Sequence, residues 1–179
     1  YRLRVPEGTA GRVVWPLAGL YDPATVERLP ITAGSADAVD GAVRLSPLKI
    51  VGDQPAEAFQ HVEVRFGDLA RLSGVAVHTP AAEVSAGDSL TVTLRYDVLA
   101  PTDADLTRFV HFYDPAQGMA AQADGIPQQG LNPTWAWLPG EQVVDQVVLT
   151  VAPDTPPGRY RLVTGFYDAM RGGERVGVF

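Results

Sequence analysis

The sequence contains no cysteine, and this absence removes two classes of small protein. Without thiols there is no disulfide framework and no thiolate zinc site. Cations are also scarce, because 14 Lys and Arg stand against 21 Asp and Glu and leave a net charge of −7. Such a chain is a poor match for sequence-independent nucleic-acid binding, which requires many neutralised phosphates. No apolar run approaches the roughly 20 residues that a membrane-spanning helix needs, so we expect no membrane span in this sequence.

Glycine and proline are abundant, with 18 Gly and 15 Pro that separate short β-type runs. In the clearest run, Ser89–Val98, apolar and polar residues alternate with a period of two, which places Leu94 toward a core and Thr93 toward solvent. We predict further strands over 42–51, 69–78, 106–113, 119–124, 143–151, 160–167 and 174–179. Many short strands with Gly/Pro punctuation and little helix predict an all-β antiparallel sandwich.

The segment Asp154-Thr-Pro-Pro-Gly158-Arg-Tyr160-Arg-Leu162 reads as a turn followed by Gly-x-Tyr-x-Leu. It resembles the tyrosine corner that opens one strand of immunoglobulin domains, with Leu162 in place of the cysteine. In that corner the Tyr hydroxyl bonds to nearby backbone and the ring packs in the core. The resemblance implies an immunoglobulin or fibronectin-III-like β-sandwich. The two inserted prolines and the missing cysteine pair leave the sandwich family open.

The start of the chain repeats its end. Gly19-Leu-Tyr-Asp22 matches Gly165-Phe-Tyr-Asp168, and Glu27-Arg28 matches Glu174-Arg175. We therefore predict that residues 1–51 are the C-terminal strands of an upstream copy, that 52–61 form a linker, and that 62–179 form a nearly complete sandwich.

Half a sandwich cannot cover its own apolar face. We therefore expect residues 1–51 to pack against the second unit or against another chain. One form of this is strand exchange between two copies through residues 1–51, because strands can be donated from one sheet to another. In that form the strand over residues 42–51 supplies the last strand that the second copy lacks.

A family resemblance rests on a series of segments in order along the chain: Phe66-Gly-Asp-Leu-Ala-Arg-Leu-Ser-Gly74, Gly87-Asp-Ser-Leu-Thr-Val-Thr-Leu, Ala100-Pro-Thr-Asp103, Phe109-Val-His-Phe, Trp137-Leu-Pro-Gly-Glu141, Asp145 and the closing Gly-Phe-Tyr-Asp. This order is similar to the β-sandwich tails of bacterial membrane glycosyltransferases of the dolichyl-phosphate-mannose mannosyltransferase type, and of related surface proteins. The resemblance implies a non-catalytic module outside the cytoplasm, in the cell envelope, within a membrane-anchored protein. It carries no catalytic residue to this chain.

Two acidic motifs, a recurring Tyr-Asp pair and a single Asp-x-Asp, each have a structural and a functional interpretation. Three Tyr-Asp turns begin at Tyr21, Tyr113 and Tyr167. The Asp in each is expected to cap its turn by accepting backbone N–H bonds, although calcium ligation is the alternative. Asp103-Ala104-Asp105 has the Asp-x-Asp form of metal-dependent glycosyltransferases, but no βαβ unit accompanies it, and we read it as a polar loop.

No catalytic site, cofactor or metal site is predicted. The three histidines, His61, His78 and His111, do not occur at metal-ligand spacing, and no nucleophile elbow is present. A hydrolase site on the rim of the sandwich requires clustered carboxylates, and the sequence shows none.

The segment Asn132-Pro-Thr-Trp135-Ala-Trp137 provides the best candidate for a binding surface. In an extended segment Trp135 and Trp137 point the same way, and indole rings form platforms that suit sugars and protein partners. Hydrogen bonds to hydroxyl groups are expected from three amides, those of Gln128, Gln129 and Asn132. The alternative is that one or both indoles seal the core. The sequence thus supports an accessory scaffolding module, or a carbohydrate-binding module around Trp135 with a glycan or protein partner.

Overall fold

The protein is described from a computed structural model, whose secondary structure consists of strands, turns and three short 3-10 segments. The residues described are 3–6, 8–32, 38–52 and 57–179. The chain divides into two compact units, Tyr1–Gly52 and Asp53–Phe179. The predicted all-β class is confirmed, and the antiparallel sheets pack as a sandwich.

The described residues of the first unit form five short strands: β1 (Val13–Val14), β2 (Leu17–Ala18), β3 (Ala38–Val39), β4 (Ala42–Arg44) and β5 (Leu48–Lys49). They form an antiparallel pair β1-β5 and an antiparallel three-stranded sheet in the order β2-β4-β3. Among its described residues, the only buried hydrophobic side chains are those of Val13 and Ala42. This unit therefore has almost no core of its own.

In the second unit, residues 57–179 form eight strands: β6 (Gln60–Phe66), β7 (Ala70–His78), β8 (Ser89–Val98), β9 (Thr107–Asp114), β10 (Gly118–Gly125), β11 (Gln142–Thr150), β12 (Arg161–Asp168) and β13 (Glu174–Arg175). They form two four-stranded antiparallel sheets with the orders β11-β8-β7-β6 and β10-β9-β12-β13. The inward residues of both sheets form one continuous apolar cluster.

Four fully buried aromatic residues lie at the centre of this core: Phe66, Tyr96, Trp137 and Phe166. The ring of Phe166 lies 5.4 Å from that of Phe66, 5.3 Å from Tyr96 and 5.8 Å from Trp137, measured between centroids. Phe66 and Tyr96 belong to one sheet and Phe166 to the other, so these edge-to-face and tilted contacts join the two layers.

The predicted strands agree closely with the structure where the alternation is clear. The bounds of β8 are those predicted, and β7, β9, β10, β11 and β12 begin and end within a residue or two of the prediction. The strand predicted over 174–179 corresponds to the shorter β13. Residues 177–179 instead pair with β6, where two backbone hydrogen bonds join Arg65 and Phe179. Strand β6 was not predicted, and its first two residues belong to the predicted linker 52–61; residues 53–56 lie outside the described residues.

One orientation within β8 differs from the prediction. Leu94 faces the core as expected, but Thr93 is also buried, and its hydroxyl has no hydrogen-bond partner among the described residues. The alternation of a strand predicts which face a side chain lies on, but it does not predict whether another part of the protein covers that face.

The two segments that the sequence matches to each other both form hairpins. Tyr21 bridges Arg28, and Tyr167 pairs with Arg175 at the matching position. The amide of Leu29 donates to the carbonyl of Leu20 at 2.9 Å, as the amide of Val176 does to that of Phe166. The two hairpins therefore have the same register, although the turn in the second is one residue longer.

The three Tyr-Asp turns are capped as predicted. Asp22 accepts from the amide of Ala24 at 2.7 Å, Asp114 from that of Ala116 at 2.9 Å, and Asp168 from that of Met170 at 2.9 Å. The first and third of these turns close the two repeated hairpins, so the shared geometry includes the cap as well as the register.

The predicted strand 42–51 is divided into β4 and β5, and both pair within the first unit. Arg44 lies opposite Leu17, and Lys49 opposite Val13. This segment therefore fills the edge of its own unit here, whereas strand exchange remains a prediction.

Candidate functional site

The predicted binding surface lies on the long connection between β10 and β11. This connection contains two short 3-10 segments, Pro127–Gly130 and Thr134–Ala136. Gln128 and Gln129 have positive φ angles of 53° and 58°, and Gly130 follows at 87°. Left-handed backbone at two non-glycine residues costs roughly 1–2 kcal/mol for each, so contacts with the core have to hold this connection in place.

One such contact is an ion pair between the two sheets. Asp145 lies on the inward face of β11 and is 0% exposed, and Arg108 of β9 is 5% exposed. The Nε of Arg108 donates to Oδ2 of Asp145 at 2.9 Å, and its other guanidinium nitrogen donates to the carbonyl of Ala123 at 2.7 Å. The second carboxylate oxygen accepts from the backbone amide of Gln128 at 2.7 Å, so the core carboxylate anchors the connection.

Burial raises the pKa of the Asp145 carboxyl above its ordinary value, because a low-dielectric environment disfavours the charged form. The charge of Arg108 and the Gln128 amide oppose this rise. For this carboxyl, the cost of burial therefore outweighs the stabilisation of its charge by Arg108 and by the Gln128 amide.

Two further contacts fix the second half of the connection. The hydroxyl of Thr134 donates to the carbonyl of Ala104 at 2.7 Å and accepts from the amide of Leu106 at 2.8 Å. The indole Nε1 of Trp137 donates to the carbonyl of Asn132 at 3.1 Å. The loop that contains Ala104 is thereby tied to the Trp segment. That contact favours the structural interpretation of Asp103-Ala104-Asp105, in which the Ala104 amide also donates to Thr102.

The five predicted site residues occupy different environments. Trp137 and Asn132 are 1% and 0% exposed, so their side chains belong to the core. The side chain of Gln128 donates to the carbonyl of Val144 at 2.9 Å. Trp135, at 37% exposure, and Gln129 remain at the surface. Of the five, these two are therefore the ones that can contact a partner without rearrangement.

The two indoles do not share a face, contrary to the expectation from an extended segment. Thr134–Ala136 forms a 3-10 turn, so residues two apart no longer point the same way. Trp137 enters the core, and Trp135 reaches the surface together with the exposed Leu131 and Leu138. Trp135 is therefore presented at the surface by an anchored connection, on which Leu131 and Leu138 are also exposed.

A second cluster, on the outward face of the other sheet, was not predicted as a site. Asp124 of β10 bonds His111 of β9 at 3.0 Å and accepts from the hydroxyl of Tyr167 of β12 at 3.2 Å. Partial burial and the charge of Asp124 raise the pKa of Tyr167. The pairing of His111 with Asp124 depends on the register between β9 and β10, in which His111 lies opposite Gln122. Since both carboxylate oxygens are engaged, this cluster links three strands.

The ring of Phe109 completes this outward cluster. It lies across Gly165, where an added Cβ would come within 2.7 Å of the ring. The guanidinium carbon of Arg175 lies 4.9 Å from the ring centroid on the same surface. Glycine at position 165 is therefore required by packing.

A groove of about 840 Å³ opens where β12 begins. Its lining includes Phe112, Val151 and Tyr160 together with Glu83 and Arg159. The hydroxyl of Tyr160 donates to the carbonyl of Pro156 at 2.9 Å, four residues upstream. This is the hydrogen bond expected at a tyrosine corner, and it holds the proline loop that forms one wall of the groove.

Within the described ranges, no group of three or more His, Asp or Glu side chains is placed to hold a metal ion. No helix in the same part of the chain is long and apolar enough to cross a membrane. Comparison with protein-family models, with curated proteins and with solved structures gives no match to this chain.

Proposed function

We propose that this chain is a non-catalytic accessory module of a larger cell-envelope protein, located outside the cytoplasm, in which immunoglobulin-like sandwiches follow one another in series. The observation that carries the proposal is the hairpin shared by both units. Tyr21–Arg28 and Tyr167–Arg175 have one register and one type of Asp cap. Serial repetition of one structural unit is typical of polypeptides that space or dock other parts of a protein.

The strand order of the second unit supports its assignment to the immunoglobulin-like class. One sheet contains β11, β8 and β7, and the other contains β10, β9, β12 and β13. Consecutive strands β8 and β9 thus lie in different sheets, as do β10 and β11, and β11 and β12, which is a Greek-key arrangement. The bond from Tyr160 to Pro156, immediately before β12, adds the corner typical of that class.

The first unit supports the idea that it is part of a sandwich. Phe166 is 0% exposed in the second hairpin, whereas its counterpart Leu20 is 73% exposed in the first. In the second unit Phe166 is covered by Phe66, Tyr96 and Trp137, which come from earlier strands and from the connection before β11. In the first unit the described residues leave Leu20 exposed, so its hairpin lacks such a cover.

Protease treatment of intact cells tests the location of the module. In the cell that makes the protein, an antibody against this chain follows its loss when a non-penetrating protease is added outside. We expect digestion while a cytosolic marker protein survives. Protection of the chain until the cells are lysed contradicts an extracytoplasmic location.

A carbohydrate-binding role around Trp135 is the second candidate. The observation that favours it is the anchored connection, in which the buried bonds to Asp145 and Thr134 fix a loop that presents Trp135. A preorganised aromatic surface binds at a low entropic cost. Gln129, Leu131 and Leu138 of the same connection are also exposed, and stacking of Trp135 on a sugar ring is the expected contact.

Glycan-array binding of the full chain tests this second role. A glycan ligand is expected to lose at least tenfold in affinity with Trp135→Ala, or about 1.4 kcal/mol. The matched control is Leu162→Ala, which is similarly exposed but lies on β12. An array without binding, or equal losses in both variants, contradicts the carbohydrate role.

A further inference from the structure

Strand β12 has one edge that is only partly paired. On one side β12 pairs with β9 from Arg161 to Tyr167. On its other side β13 pairs only with Tyr167 and Asp168, and one more bond joins Val176 to the carbonyl of Phe166. No other part of the described chain pairs with β12 on that side, so the edge from Arg161 to Thr164 is open.

The groups at this edge follow from the alternation of a strand. The carbonyl of Phe166 points toward Val176, on the side of β13. In an antiparallel strand the N–H and C=O of one residue point to the same side, and the side alternates from residue to residue. The backbone groups of Leu162 and Thr164 therefore point outward at the open edge, whereas those of Val163 and Gly165 point toward β9.

In the first unit the corresponding edge is filled. Matching Gly19 to Gly165 places Pro16 at the position of Leu162, and Ala18 at that of Thr164. Arg44 and Val43 of β4 lie opposite Leu17 and Ala18. The amide of Leu45 donates to the carbonyl of Pro16 at 2.8 Å.

The filling strand continues along the same edge. The amide of Ile50 donates to the carbonyl of Arg12 at 2.9 Å, and Leu48 and Lys49 of β5 pair with β1. The segment 42–50 thus runs antiparallel along residues 12–18 with one irregularity between β4 and β5. In the second unit the chain after the hairpin follows another course, because Phe179 pairs with Arg65 of β6.

The open edge lacks the devices that normally prevent strand addition. Leu162 and Val163 are 37% and 40% exposed, and Arg161 is the only charged residue from 161 to 164. Neither proline nor lysine lies in this stretch, and no bulge interrupts the pairing of β12 with β9. Such an edge is a template for another strand.

We propose that the open edge of β12 accepts an extended segment of a different protein, rather than of a second copy of this chain, as an added antiparallel strand. The composition of the added segment resembles that of residues 42–50, in which small, β-branched and aliphatic residues are separated by single polar residues. Its bonds are made to the backbone of Leu162 and Thr164, in the manner of the bond from Leu45 to Pro16. The inference rests on the proposed function, since it treats the two units as copies of one design.

Amide hydrogen exchange of the full, isotope-labelled chain tests this inference. The probe is a synthetic peptide with the sequence of residues 41–51, blocked at both ends and titrated to about 1 mM. At ten times its Kd, exchange at the amides of Leu162 and Thr164 is expected to slow by about tenfold. The amide of Val163, which already faces β9, serves as the internal reference.

Two peptide variants make the controls without any change to the protein. N-methylation at the position of Leu45 removes the N–H that would bond to Leu162 and is expected to abolish the protection. N-methylation at the position of Arg44 blocks an N–H on the opposite side of the strand and is expected to preserve it. A scrambled peptide of the same composition gives the non-specific background.

Three results overturn the inference: no protection of Leu162 and Thr164, equal effects of the two methylated peptides, or equal protection by the scrambled peptide. Protection that increases with protein concentration without peptide also overturns it, because the occupant is then a second copy of this chain. The outcome of protease treatment on cells does not depend on any of these four exchange results. A failure of strand addition is therefore distinguishable from a failure of the proposed function.

Discussion

Two buried threonines in the second unit differ in what their hydroxyls contact. The hydroxyl of Thr93 has no partner among the described residues, whereas that of Thr134 bridges Ala104 and Leu106. We expect Thr93→Val to raise the free energy of unfolding by about 1 kcal/mol, because an unsatisfied buried group is removed. Thr134→Val is expected to lower it by about 1–3 kcal/mol, because the Leu106 amide loses its acceptor. Urea unfolding measures both, and destabilisation by Thr93→Val contradicts the burial of an unpaired hydroxyl.

The carboxyl of Asp97 determines part of the acid stability. Partial burial acts to raise its pKa, but hydrogen bonds from Arg71 at 2.9 Å and Gln142 at 3.2 Å outweigh burial, and the pKa is lowered from 3.8. The folded state therefore holds this proton less tightly than the unfolded state. The stabilisation is present above the unfolded value and is lost as the pH falls through the folded one.

Comparison of the wild type with Asp97→Asn isolates this contribution. The stability advantage of the wild type over Asp97→Asn is expected to decrease as the pH falls from about 5 to about 2.5. Unfolding by urea across a pH series measures it. An advantage that stays constant or grows on acidification contradicts the lowered pKa.

At the scale of elements, the turn before β12 depends on one hydroxyl. Tyr160 donates to the carbonyl of Pro156 at 2.9 Å, and its ring lies 5.2 Å from that of Phe112. We expect Tyr160→Phe to lower the free energy of unfolding by about 1 kcal/mol, since the ring contact is kept and the hydroxyl contacts with Pro156 and with the side chain of Gln117 are lost. Tyr113→Phe, at an exposed ring on β9, is the control. Equal effects of the two changes indicate that the corner bond contributes nothing.

The connection that presents Trp135 depends on the core ion pair. Asp145→Ala removes the acceptor of both Arg108 and the Gln128 amide. The expected loss is roughly 3–5 kcal/mol, because a buried guanidinium is left without its counter-charge. The adjacent Gln146→Ala, on the exposed face of β11, is expected to stay within about 0.5 kcal/mol. Thermal unfolding separates the two, and a small effect at Asp145 contradicts its role as an anchor.

How much of these elements is visible in the sequence depends on the range of the interactions. The alternation from Leu90 to Val98 is local, so the bounds of β8 follow from it. The pairing of Arg108 with Asp145 spans 37 positions and has no local signal. The burial of Trp137 and Asn132 likewise depends on contacts with distant strands, which is why a sequence-based binding surface included both.

At the scale of the whole molecule, each unit contains a hairpin of the same register, and the two units differ in how far the apolar residue of that hairpin is buried. The second unit covers Phe166 with aromatic residues from both of its sheets. The first unit leaves its counterpart, Leu20, exposed and has several further large apolar side chains at its surface, among them Leu3, Val5, Val26 and Val51. The repeated Gly-x-Tyr-Asp motif predicted the shared hairpin, but it carries no information on what covers the first copy.

The most direct test is the register of the first hairpin in solution. In the nuclear Overhauser spectrum of the labelled full chain, cross-strand contacts are expected between Tyr21 and Arg28, and equally between Tyr167 and Arg175. Both sets should coincide with slow exchange of the Leu29 and Val176 amides. A different register over residues 20–29, or no hairpin there at all, contradicts the account that this protein is built from copies of one unit.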